Sequence, residues 1–224
     1  MTHEAHTATM LLRAGKTLVL VLGACAAGKS SLTRAICGEG GIEHIAEFDC
    51  YDRCRQQYVR ERAKYVIGNS IAIAGNWKNT SDAISKPETL RKLVDLCFGL
   101  ALTVIVDSFR PRNKFVNWMQ EHPCPAMQAV FVYFDITLET NLARLLGRRR
   151  ANGRIETQLP DRTYSTLLQT RGSAKNVWEY AQQNYLREPK AFVRIPDQLT
   201  PEESADLVRQ EIGRLWKASS QPTA

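Results

Sequence analysis

The chain has no Cys-x-x-Cys pair, and none of its histidines sits at zinc-ligand spacing from its six cysteines, Cys25, Cys37, Cys50, Cys54, Cys97 and Cys124. That excludes the common zinc modules and thioredoxin-like redox motifs. It also lacks an apolar run of membrane length and a secretory signal. It therefore reads as a soluble, cytoplasmic protein with free thiols and no membrane partner. No Asn-Lys-x-Asp guanine motif is present, which argues against a GTPase-type switch. There is no internal repeat and no linker. The 224 residues, 44% hydrophobic and 24% charged, suit one globular domain with a full core. The expected organisation is a flexible lead over residues 1–15, one domain over 16–217 and a disordered tail over 218–224.

What is present is concentrated in one string, Gly23-Ala24-Cys25-Ala26-Ala27-Gly28-Lys29-Ser30. It fits the phosphate-binding pattern G-x-x-x-x-G-K-[ST] at every fixed position. Thr17-Leu18-Val19-Leu20-Val21-Leu22 precedes it and reads as a buried parallel strand. Ser31 begins a stretch that reads as a helix closed by Gly38. Strand, glycine loop and helix form the arrangement that lets backbone N–H groups and a helix N-terminus cradle a phosphate. Gly23, Ala26, Ala27, Gly28, Lys29, Ser30 and Ser31 are thus the candidate nucleotide contacts. Lys29 would reach the β- and γ-phosphates of ATP, and the Ser30 hydroxyl would help hold Mg²⁺. Cys25 inside the loop reads as small filler.

Downstream, strands alternate with helices. Residues 42–48, 102–106, 129–134 and 191–195 read as strands. Residues 51–65, 111–120, 138–150, 161–185 and 201–216 read as helices, as does the amphipathic stretch after Pro87. Residues 67–79, broken by Gly68 and Gly75, fit neither pattern. The fold class expected is α/β, with a mainly parallel sheet flanked by helices.

Three further places can carry chemistry. Asp107 follows Thr103-Val104-Ile105-Val106, at the carboxyl end of a buried strand, where open α/β sheets bind ligands. In a phosphate-loop protein it is the natural Mg²⁺ or substrate contact. Asp49 ends the second strand and is best placed as a base toward an acceptor hydroxyl. Asp52 is the alternative, as base or as helix cap. Arg53 and Arg55 suit a grip on an acceptor phosphate, or are solvated helix charges. Finally, Arg144 and Arg148 share a helix face, four residues apart, and Arg149, Arg150 and Arg154 follow. Gly147 and Gly153 loosen that segment. It reads as a mobile arginine-rich lid over about residues 144–162 that closes on a triphosphate, the alternative being a solvated basic helix end.

In these blocks and their order, residues 17–170 resemble the kinase domain of phage-type polynucleotide 5′-kinases and their wider P-loop kinase family, which includes the zeta toxins. The blocks are Gly23–Ser30, Asp49, the strand ending in Asp107 and Ser108 with Arg110-Pro111-Arg112 behind it, and Phe131-Val132-Tyr133-Phe134-Asp135-Ile136 before the arginine helix. The resemblance implies transfer of the ATP γ-phosphate to an alcohol. It gives Lys29 and Ser30 the nucleotide roles, Asp49 the base and Asp107 the acid of the later strand. Arg148 or Arg149 takes the γ-phosphate role, with Arg144 on the nucleotide side. Asp52, Arg53, Arg55, Ser108 and Arg110 fall on the acceptor side. The family's arginine three residues after the base is replaced here by Asp52.

The acceptor expected is nucleic acid, DNA before RNA. It would be a 5′-hydroxyl or, alternatively, a hydroxymethyl group on a pyrimidine base within phage DNA, which would have to be flipped out of the duplex. The net charge of +7 suits both. A small-molecule acceptor of the zeta-toxin kind is the third reading.

Overall fold

A computed structural model of the protein describes residues 16–38, 40–52, 55–75, 84, 86–107, 113–122, 124, 127–153 and 158–220. Its strands are β1 (Lys16–Leu22), β2 (Ile42–Asp52), β3 (Gln57–Gly68), β4 (Ile71–Ala74), β5 (Thr103–Asp107), β6 (Met127–Asp135) and β7 (Lys190–Pro196). Among the described residues six helices join them: α1 (Lys29–Cys37), α2 (Pro87–Leu100), α3 (Asn113–Glu121), α4 (Leu138–Ala151), α5 (Asp161–Asn184) and α6 (Pro201–Ser220). The seven strands form one sheet in the order β2-β3-β4-β5-β1-β6-β7. From β4 to β7 all neighbours run parallel, and β3 is antiparallel to both β2 and β4. The α/β class and mainly parallel sheet expected from the sequence are those found.

The central strands are buried on both faces. Leu18, Leu20 and Leu22 of β1 face one apolar cluster together with α2, α3 and α5. Val19 and Val21 face the other, with α1 and α6. Each such Val or Leu contributes about 1.5–3 kcal/mol by burial, which holds β1, and therefore the loop at its end, in the centre of the sheet. A buried polar chain ties α6 to the amino-terminal edge of the sheet. Trp216 Nε1 donates to Thr17 Oγ1 at 2.8 Å, Thr17 donates to Gln128 Oε1 at 3.3 Å, and Gln128 Nε2 donates to the Leu215 carbonyl at 3.3 Å.

Two expectations are corrected. The described residues of the 51–65 stretch are not helical: Tyr51 and Asp52 complete β2 and residues 57–65 form most of β3, paired over eleven consecutive positions from Ile42↔Ile67 to Asp52↔Gln57. The charge density of this stretch imitates a helix surface, but its side chains alternate with period two. Val59, Ala63 and Tyr65 turn toward α2, while Tyr58, Arg60, Arg62 and Lys64 turn away. Asp52 Oδ1 accepts the Arg55 N–H at 3.2 Å, and Gln56 takes a left-handed φ of 51°, which closes the turn between the strands. Second, the last helix runs through Ser220, so residues 218–220 are helical rather than part of a disordered tail.

The β2–β3 hairpin overhangs the sheet. β4 ends at Ala74 opposite Tyr65, and residues 57–64 of β3 continue past it for roughly 25 Å at the rise of a strand. Among the described residues no helix is long and apolar enough to cross a membrane.

Candidate functional site

The loop leaving β1 is shaped by what cannot fit there. A side chain on Gly23 would meet Phe134 Cβ at 3.0 Å and Ala27 Cβ at 3.1 Å. Gly28 has φ +110°, and a Cβ there would lie 3.4 Å from the Phe134 ring. Ala26 also adopts a positive φ, 59°. These left-handed turns are what wind the loop tightly against the start of α1. No side chain caps α1 at Gly28 and no acidic residue lies in its first turn; the Ser31 and Leu32 N–H groups turn back to the Gly28 carbonyl at 3.0 Å. Lys29, buried at 7% exposure, donates from Nζ to the carbonyls of Gly23 at 3.1 Å and Ala24 at 3.0 Å. Its ammonium is thus stored inside the loop, within reach of whatever the loop binds.

β5 delivers Asp107 next to this loop. The strand pairs with β1 so that Asp107 lies opposite Val21. Strand alternation puts Asp107 on the α1 side, as it does Ile105. There the Ser30 hydroxyl donates to Asp107 Oδ2 at 3.2 Å, and the carboxylate is fully buried. A hydroxyl and a carboxylate at a helix N-terminus are hard oxygen donors, the chemistry that suits Mg²⁺. Among the described residues no group of three or more His, Cys, Asp or Glu side chains could hold a metal by itself.

α4 leans on the same loop. Arg144 Nη1 donates to the Ala27 carbonyl at 2.8 Å, and Asn141 Nδ2 to the Cys25 carbonyl at 3.2 Å. Thr137 caps the helix. Asp197, just past β7, accepts from the Thr137 N–H at 3.1 Å and the Thr140 hydroxyl at 2.9 Å. Burial alone would raise the Asp197 carboxyl. The hydrogen bonds from Thr137 and Thr140, with the Arg144 cation nearby, hold it below its ordinary value. Beside the loop opens a cleft of about 400 Å³, lined by Ala26, Ala27, Gly28, Ser31, Phe134, Ile136, Arg144, Arg148, Pro196, Leu199, Pro201 and Ser204. Its walls are apolar on the β6 and β7 side and cationic on the α4 side.

The structure therefore brings together Gly23, Ala26, Ala27, Gly28, Lys29, Ser30, Ser31, Asp107, Arg144 and Arg148. It does not bring Asp49 to them. Asp49 lies on β2, three strands from β5 and four from β1, about 14 and 19 Å at the usual spacing. Its carboxylate is 67% exposed and faces Arg60 Nε at 3.7 Å. Asp52 lies near the hairpin turn on the opposite face, 3.4 Å from Lys86 Nζ, and Arg55 is in the turn itself. Arg149 is half-buried on α4 and does not line the cleft. Arg53, Ser108 and Arg110 lie outside the described residues, as does part of the lid span, residues 154–157.

Sequence reasoning missed Phe134, Ile136, Asn141, Pro196, Asp197 and Leu199. One signal was available: Pro196 and Pro201 bracket a short loop after the last parallel strand, at the sheet edge where ligands bind. Asn141 gave none, because an amide inside a helix pattern reads as surface. The chain matches no protein-family model and no curated protein, so the reading of this site rests on its own residues.

Proposed function

We propose that the protein is an ATP- and Mg²⁺-dependent phosphotransferase that moves the γ-phosphate of ATP onto an alcohol, first of all a hydroxyl of nucleic acid. The observation that carries this reading is the Ser30–Asp107 contact at 3.2 Å, at the mouth of a loop that already stores the Lys29 ammonium. In this reading the loop N–H groups and the α1 N-terminus hold the β- and γ-phosphates. Lys29 exchanges its two carbonyls for phosphate oxygens. Ser30 and Asp107 hold Mg²⁺, which would neutralise charge on the transferring group when bound. Arg144 and Arg148 add positive charge from the α4 side. The acceptor hydroxyl forms its bond to phosphorus as the bond to the bridging oxygen of ADP breaks, and its proton passes to solvent water. Catalysis is then mostly positioning and charge stabilisation, and Asp49 has no part in it.

The nucleic-acid acceptor is supported by the net charge of +7 and the arginines ending α4. One observation favours the second reading, a small-molecule acceptor. The cations of the overhanging hairpin are already matched by acids across the ladder: Arg62 to Glu47 at 2.7 Å, Arg60 to Asp49 at 3.7 Å, and Lys64 to Glu43. That leaves the hairpin little net charge for a phosphate backbone.

The test is incubation with Mg²⁺, γ-labelled ATP and two DNA oligonucleotides. One has a free 5′-hydroxyl. The other has a blocked 5′ end and an internal hydroxymethyluracil. Label on the first is the expected result. Label on the second alone identifies a base kinase. Binding of ATP with label on neither moves the acceptor to small molecules, and no binding of ATP overturns the reading.

A further inference from the structure

α4 has one buried side chain among the described residues, and it is polar: Asn141, fully enclosed. A helix that otherwise rests lightly on the protein has no packing reason to bury an amide, and a buried amide is costly unless both its ends are bonded. Both are. Arg171 Nη1, from α5, donates to Asn141 Oδ1 at 2.7 Å. Asn141 Nδ2 then donates to the Cys25 carbonyl of the phosphate loop at 3.2 Å. The same guanidinium nitrogen donates to the Ile136 carbonyl, at the root of α4.

We propose that Arg171 and Asn141 are positioning residues for nucleotide binding, a relay in which α5 sets the orientation of the loop through α4. The proposal rests on the phosphate-loop reading above. Its physics is one of polarity. A cation beside Oδ1 fixes which way the amide lies, because the flipped amide would set an NH₂ against a guanidinium and an oxygen against a carbonyl oxygen. The NH₂ end therefore faces Cys25 and holds its carbonyl on the α4 side. The next helical turn repeats the device, with Arg144 holding the Ala27 carbonyl at 2.8 Å. Carbonyls drawn outward at two alternate residues fix the turn of the loop, whose Cys25 N–H is held by Thr170 Oγ1 of α5 at 3.5 Å and whose Ala27 N–H is held by the Ala24 carbonyl at 3.3 Å. The 24-residue helix α5, with Leu167, Thr170, Ala174 and Val177 buried, supplies the rigid base.

Asn141→Asp separates positioning from structure. The carboxylate keeps its pairing with Arg171 but sets an oxygen against the Cys25 carbonyl. The measurement is equilibrium titration with a fluorescent methylanthraniloyl-ATP, beside thermal melting, for the wild type and for Asn141→Asp, Arg171→Met, Arg171→Lys and Lys29→Ala. The expected result is a Kd raised about tenfold in Asn141→Asp and Arg171→Met. The melting temperature of Asn141→Asp should stay within a few degrees of wild type, and Arg171→Lys should recover part of the loss. Combining Asn141→Leu with Arg171→Met should weaken binding no more than the worse single change, because both break one relay. Wild-type binding by Asn141→Asp, with Lys29→Ala defective, overturns the relay alone. Equal and negligible binding by the wild type and Lys29→Ala overturns the phosphate-loop reading and the relay with it.

Discussion

Asp49 and Asp107 show how far a carboxylate's sequence context reaches. Each follows a hydrophobic residue, Phe48 or Val106, and both turn toward the same face of the sheet. Asp107 ends a strand adjacent to β1, so its place is set by the pairing of β5 with β1 and by the contact with Ser30. Asp49 lies within the outermost strand and faces solvent. The account predicts that Asp49→Asn changes turnover by less than about threefold, since an exposed pair such as Asp49–Arg60 has little energetic weight. Steady-state kinetics checks this, and a loss of a hundredfold would return the base to the hairpin. The loop after β1 and Asp107 were legible because their pattern lies in contiguous residues flanked by unambiguous strands. Asn141 and Arg171 were not, because their roles come from a contact between helices that no local pattern encodes.

At the scale of elements, the stretch misread as a helix is the more instructive case. β3 carries charge on one face and modest apolar residues on the other, and its apolar positions recur every second residue rather than every third or fourth. Its register with β2, rather than propensity, decides its state. Because the hairpin outruns β4, it extends past the carboxyl end of that strand. At the other side of the site, α4 is rooted through Asp197. A carboxyl held below its ordinary value in the folded protein adds stability that is fully present above the unfolded pKa, about 3.9. That stability is lost as the pH falls through the folded value. The protection factors of the α4 amides, exchange rates referred to the intrinsic rate at each pH, should therefore fall on acidification below about pH 4 in the wild type. In Asp197→Asn, already loosened at neutral pH, they should change much less. Identical pH profiles would show that Asp197 does not anchor the helix.

At the scale of the molecule, the described residues form a sheet with two apolar faces. Phe131, with no exposed surface, stacks on Phe192 at a ring separation of 5.0 Å and meets Tyr185 edge-on at 5.0 Å. Phe131→Ala should cost about 3–5 kcal/mol in urea unfolding. A cost below about 1 kcal/mol would mean that this face repacks freely. The alternation of strands and helices made the sheet and most element positions legible from the chain. The strand order, with β2 and β3 turned into an overhanging hairpin rather than a strand and crossover helix, was not, because it is fixed by long-range pairing. On this scaffold the central claim is local: ATP binds at the loop with Mg²⁺ held by Ser30 and Asp107. Calorimetric titration with ATP, with and without Mg²⁺, on the wild type and Asp107→Asn tests it most directly. Tighter binding with Mg²⁺ in the wild type, and loss of that dependence in Asp107→Asn, is the predicted result. The same Mg²⁺ dependence in both proteins would contradict it.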